Sequence, residues 1–190
     1  MPDRGLFWSP VPDWSRAEIQ QPGLGITALS PRTAWLVSGN FSAFLAKRGG
    51  LACVGPRETC ERDAYSLRLT PDRLLFVAQD AVSTHPETFG WSDDGVAITD
   101  VSDGLMLFDV TGPAAPALMQ LGANYEFEAN PAGPEESAST LFAGLHASIV
   151  RILPGWRLHV ERPYATAMWQ WLQHAAQEWA KPPAREEVSP

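Results

Sequence analysis

With 190 residues, 45% of them hydrophobic, the chain is long enough to bury one sizeable core and to remove roughly 70% of its unfolded surface from water, so one domain is expected. A formal charge of −8 with no cluster of Lys and Arg argues against a nucleic-acid partner, because phosphate backbones are held by clustered cations that displace counterions. The sequence offers neither a run of about eighteen apolar residues to span a bilayer nor an N-terminal signal stretch, and Cys53 and Cys60 have no nearby His to complete a zinc site, so free thiols, no membrane partner and a cytoplasmic location are expected.

Residues 1–23 carry Pro2, Pro10, Pro12 and Pro22 around Phe7, Trp8 and Trp14 with neither helical nor strand period, and read as an extended arm. Its aromatics need cover, from this domain or from a neighbour. A strand-like stretch follows at 26–37, interrupted at Ser30-Pro31-Arg32. Gly39-Asn40 then introduces a short helix, 41–48, with Phe41, Phe44 and Leu45 on one face and Gly49-Gly50 as its stop. Residues 51–63 read as loop, and 65–69 with 73–77 as a hairpin about Thr70-Pro71-Asp72. After a polar helix or loop near 80–91, residues 96–101 and 105–110 are predicted to pair about Ser102-Asp103-Gly104. Gly112-Pro113 opens a helix through Ala114, Leu118 and Met119, and 122–137 is a loop rich in Pro, Gly and Glu. Residues 140–153 and 156–160 read as a longer hairpin about Pro154-Gly155. A final amphipathic helix, 164–180, places Met168, Leu172, Ala175 and Trp179 on one side, and 181–190 is expected to be a disordered tail.

Two stretches recur. Val37-Ser38-Gly39 leading to Leu45 returns as Val110-Thr111-Gly112 leading to Leu118, and LRLTPDRLLFV (67–77) returns as VRILPGWRLHV (150–160). The offsets, 73 and 83, differ by the loop at 122–137. The expected fold class is therefore α+β: a single domain at 24–180 built of two strand–helix–hairpin–helix repeats, about 26–91 and 96–180, with an antiparallel-rich sheet covered by helices.

Chemistry is sparse. Asp100 and Asp103 are the most polar pair in an apolar stretch, yet they supply too few oxygens for calcium, and Asx side chains commonly bond local backbone N–H groups, so a turn-capping role is read first. His85, His146, His159 and His174 are not spaced as metal ligands on one element. His159, alternating with Leu158 and Val160, is expected to face solvent or a partner. His146 shares a face with Ser148, but a third catalytic partner is not identifiable. Gly23-Leu24-Gly25 lacks the third glycine of a phosphate cradle. No catalytic, cofactor or metal residue is assigned. Eight tryptophans suggest aromatic contact surface, and Phe7, Trp8, Trp14, Trp169 and Trp171 are the candidate partner interface.

Thr99-Asp100-Val101-Ser102-Asp103-Gly104, then Leu107-Phe108-Asp109-Val110-Thr111-Gly112-Pro113 and a helix, resembles the signature shared by the glycine-cleavage aminomethyltransferase fold and its folate-binding domain. With Pro71-Asp72-Arg73-Leu74-Leu75 before it and Trp169-Gln170-Trp171-Leu172-Gln173-His174-Ala175 after it, the chain resembles the γ subunit of heterotetrameric sarcosine oxidase over roughly residues 26–180. The resemblance implies a non-catalytic γ chain assembled with α, β and δ subunits that oxidise an N-methyl amine and pass its carbon to tetrahydrofolate. It also implies flavin, NAD and tetrahydrofolate on the large partner subunits, zinc on the small one and no cofactor on this chain. The alternative is a stand-alone folate-binding or aminomethyltransferase-like protein in which Asp100 or Asp103 meets the pteridine. The charged segment 57–62 and the loop 122–137 have no counterpart in that family pattern.

Overall fold

Alternation of apolar and polar residues sets the architecture. In β2 (Leu24–Leu29), Leu24, Ile26 and Ala28 are buried while Gly25, Thr27 and Leu29 are half-buried, the period of two that a strand requires. β6 (Arg73–Ala78) instead is buried on both faces from Leu74 onward, as a strand lying between two apolar layers must be. The computed structural model describes residues 11–42, 44, 59–60, 64–78, 90–93, 95–125, 127 and 139–180.

Two sheets result. The first runs β1 (Glu18–Gln21), β2, β9 (Leu105–Thr111), β12 (Gly155–Glu161), β11 (Leu145–Ile152) and β10 (Ser139–Phe142), with β4 (Thr59–Cys60) parallel to β11. The second runs β5 (Ala64–Thr70), β6, β3 (Thr33–Gly39), β8 (Val96–Asp100) and β7 (Gly90–Trp91). Every other pairing is antiparallel. On the outer face of the first sheet, α1 (Ala115–Gly122) and α2 (Arg162–Ala176) close a core of Ile26, Phe108, Leu118, Met168 and Leu172. Between the sheets lie Ala34, Tyr65, Leu67, Leu75 and Val77 from one side and Leu105, Leu107 and Val150 from the other. Beyond the second sheet, Trp35, Val37, Phe44 and Phe76 form a third cluster. The protein is thus α+β, with two antiparallel-rich sheets in place of the single sheet expected.

The expected hairpin at 65–77 forms, and the one expected over 140–160 forms between 145 and 161. Other readings change, among them residues 51–63 as loop, since Thr59–Cys60 form β4. Residues 96–101 and 105–110 do not pair: β8 is bonded to β3 and β7, whereas β9 lies between β2 and β12. The chain leaves one sheet at Asp100 and enters the other at Leu105 through a 3-10 turn, Ser102–Gly104. The same turn residues serve a hairpin and a crossover, and only the far-side partners distinguish them. The stretch 140–153 is broken at Ala143-Gly144, with φ of 52° and 77°, so β10 and β11 are separate strands. Finally, residues 18–21 of the arm form edge strand β1, whose largely polar sequence gave no alternating apolar signal.

β3 and β9 occupy corresponding places, each flanked by a hairpin strand from its own side (β6, β12) and by a strand (β8, β2) beyond. β3 ends in Gly39 and β9 is followed by Gly112, both at φ +97°, where a Cβ would stand 2.2 Å from the Gly95 carbonyl oxygen (Gly39) or 2.4 Å from that of Gly23 (Gly112). Left-handed strain and backbone overlap add, so Gly112→Ala is expected to cost about 2–4 kcal/mol in urea unfolding. Gly144→Ala has a φ of +77° but open space around the added Cβ, and is expected to cost only about 1 kcal/mol.

Candidate functional site

The crossover between the sheets holds the two carboxylates singled out by sequence. Asp100 Oδ1 accepts the Ser102 backbone N–H at 2.9 Å and the Ser102 hydroxyl at 2.6 Å. Ser102 Oγ in turn accepts the Ala34 N–H at 2.9 Å, and the Val101 N–H donates to the Ala34 carbonyl at 2.8 Å. Asp100 therefore locks the turn against β3, the local Asx role read first from the sequence. Asp103 is exposed, and its carbonyl accepts from Arg162 Nε at the start of α2, while Arg162 also reaches the Leu105 carbonyl at 3.2 Å.

A second polar group, of which the sequence reading singled out only His159, lies between the sheets. Arg157 and His159 project from β12 toward the second sheet because Leu158 and Val160, the alternate residues, fill the outer core. Arg157 Nε and an Nη donate to both oxygens of Asp109, its cross-strand partner on β9, at 2.6 and 2.8 Å. Burial works against the guanidinium charge, but the Asp109 carboxylate and the Tyr65 hydroxyl outweigh it and hold Arg157 charged above its ordinary range.

His159 is 3% exposed, which corrects the expectation that it faces solvent or a partner. That expectation assumed a sheet with one wet face, and this sheet is covered on both. The Ser148 carbonyl, which can only accept, lies 2.8 Å from His159 Nδ1, so Nδ1 carries the proton and Nε2 accepts the Tyr65 hydroxyl at 2.6 Å. Burial, aided by the Arg157 charge and only partly offset by the Ser148 carbonyl, pushes His159 down to about 3. Tyr65 comes from β5, so this bond joins the two sheets. Polar residues at i and i+2 on a strand otherwise apolar were the sequence signal for this seam. His146 is exposed, and Ser148 Oγ pairs with Ser139 Oγ at 3.1 Å. Among the described residues, no group of three His, Cys, Asp or Glu is placed to hold a metal ion.

Of the candidate interface aromatics, Phe7 and Trp8 lie outside the described residues. Trp14 is half-buried, with its ring 6.1 Å from Phe108 and 6.3 Å from Trp169, so that part of the arm packs on its own domain. Trp169 is 4% exposed and stacks on Phe108 at 6.0 Å, its ring taken up by this chain's core. Trp171 is half-buried, edge-on to Phe142 at 5.2 Å.

The architecture has a counterpart among solved structures. The fold matches a chain of a sarcosine oxidase. That chain belongs to the heterotetrameric sarcosine oxidase from Corynebacterium sp. U-96 in complex with pyrrole 2-carboxylate, and it aligns with 18% sequence identity and a TM-score of 0.66. The alignment covers 87% of this chain and 90% of that one. No family model matches the sequence, and no curated protein does. Among the described residues, no helix is long and apolar enough to cross a membrane.

Proposed function

We propose that this chain is a non-catalytic γ-type subunit of a heterotetrameric, flavin-dependent oxidase or dehydrogenase that demethylates sarcosine or a related N-methyl amine. In this reading α, β and δ chains are its partners; flavin, NAD and tetrahydrofolate sit on the large subunits, zinc sits on the small one, and this chain serves the assembly by shape. The observation that carries it is the end-to-end likeness in fold to one chain of a heterotetrameric sarcosine oxidase, 87% of this chain against 90% of that one. The structural use of Asp100 within its own turn supports a scaffold role for the signature stretch, and the corresponding places of β3 and β9 support its reading as a duplicated unit.

The test is co-expression with the large flavin-binding subunit of its own complex, followed by size-exclusion chromatography. A stable complex is expected, with flavin absorbance in the complex and none in the isolated chain. Failure to co-elute removes the proposal. Titration of the isolated chain with tetrahydrofolate, watched through tryptophan fluorescence, is expected to be flat; saturable quenching would favour a stand-alone folate-binding role instead.

A further inference from the structure

Trp91 differs from the other described tryptophans. It lies on β7, the outermost strand of the second sheet, and is 75% exposed, whereas Trp14, Trp35, Trp156, Trp169, Trp171 and Trp179 are buried or half-buried. Register places it in one row with Ala97 and Ser38, two residues along β3 from Leu36 and four from Ala34, hence on the face turned toward the first sheet. Cover fades across that face. In the neighbouring row Leu67 is 0% and Leu75 5% exposed, Leu36 is half-buried and Thr99 is exposed. Among the described residues cover thins toward this margin, where Leu36 and Ala97 are half-buried and Trp91 is exposed, an apolar strip only partly covered. Among the described residues no strand pairs with the outer edge of β7.

Charge indicates what covers the strip. From residue 74 to residue 150 the sequence contains eleven Asp and Glu and not one Lys or Arg, and the cation in the row of Trp91, Arg73, lies three strands away on β6. β7 and β8 lie inside that stretch, and the turn joining them begins with exposed Asp93, followed in sequence by Asp94. An exposed tryptophan two residues from an exposed carboxylate suits a guanidinium or ammonium, whose stem covers the ring while its charge meets the acid. The same pairing exists inside this chain, where the Arg151 guanidinium lies 5.3 Å over the Trp156 ring.

We propose that the β7–β8 margin is the surface on which a partner subunit docks, and that the partner's face is cationic, with an Arg or Lys seated on Trp91 and paired with Asp93. This rests on the reading of the chain as a subunit. Buried aromatics at the centre of an interface carry much of its affinity, and rim charges set its salt dependence.

The experiment uses the full chain and the large flavin-binding subunit, with binding measured for wild type, Trp91→Ala and Asp93→Lys. Because Trp91 is exposed, thermal unfolding of Trp91→Ala should match wild type. Its affinity should fall at least about thirty-fold. Asp93→Lys should weaken binding several-fold at low salt, with the difference shrinking at about 0.5 M salt. A wild-type complex that Trp91→Ala leaves within about threefold overturns this surface while leaving the subunit reading intact. Loss with Trp91→Ala but no effect of Asp93→Lys overturns the cationic partner, and no complex with wild type overturns both readings.

Discussion

Replacing Arg157 by Met is expected to destabilise the protein by about 3–5 kcal/mol in urea unfolding, because it strands the Asp109 carboxylate between two sheets. The side chains of the pair are only 12% and 16% exposed, and both donor–acceptor contacts are short, at 2.6 and 2.8 Å. A paired charge in such a place contributes little net stability, since attraction and lost hydration nearly cancel; a single charge left there keeps its full desolvation cost. The double variant Arg157→Met/Asp109→Leu should therefore recover most of the loss, which a simple packing defect at 157 would not permit. A single variant within about 1 kcal/mol of wild type would show that water reaches Asp109 freely and that the seam is not a sealed layer.

Elements whose evidence is local were legible from the sequence. The hairpin at Pro71-Asp72 announces itself by turn chemistry between apolar runs, and α2 by the spacing of Met168, Leu172, Ala175 and Trp179, of which Met168 and Leu172 are buried and Ala175 and Trp179 half-buried. The turn-locking role of Asp100 was legible for the same reason, since its partner Ser102 is two residues away. Features defined by distant partners were not. Whether residues 96–100 pair with 105–111 or with 33–39 depends on the second sheet, which no window of sequence contains. His159 was read as outward-facing because alternation identifies two faces without saying whether both are covered; its partner Tyr65 is 94 residues away. Trp169 and Trp171 show the same limit. One fills the core and the other sits at its margin, a difference set by Phe108 on β9 and Phe142 on β10.

Acid should loosen the join between the sheets, and His159 sets the range in which it does so. In the folded protein its imidazole is neutral down to about 3, whereas in the unfolded chain it protonates near the ordinary 6.5. Between those values the unfolded state binds one proton more, so stability rises with pH across the window and is lost on acidification. The contribution is complete above pH 6.5 and drains away as pH falls toward 3, by about 1.4 kcal/mol per unit once the unfolded chain is protonated. The geometry supplies the cause: Nδ1–H is already committed to the Ser148 carbonyl, so a second proton would arrive at Nε2, against the Tyr65 hydroxyl and beside the Arg157 cation, on a residue only 3% exposed to solvent. Urea unfolding at about pH 7.5, 6 and 5 should show wild type losing roughly 2 kcal/mol more than His159→Leu over that span, even though the variant starts less stable for want of two hydrogen bonds. Tyr65→Phe should lower stability at every pH by about 1 kcal/mol yet keep the wild-type slope, because it removes a bond without removing the titrating group. Equal slopes for wild type and His159→Leu would mean that the imidazole accepts its proton in the folded state at an ordinary pH, and that the seam opens to water without unfolding.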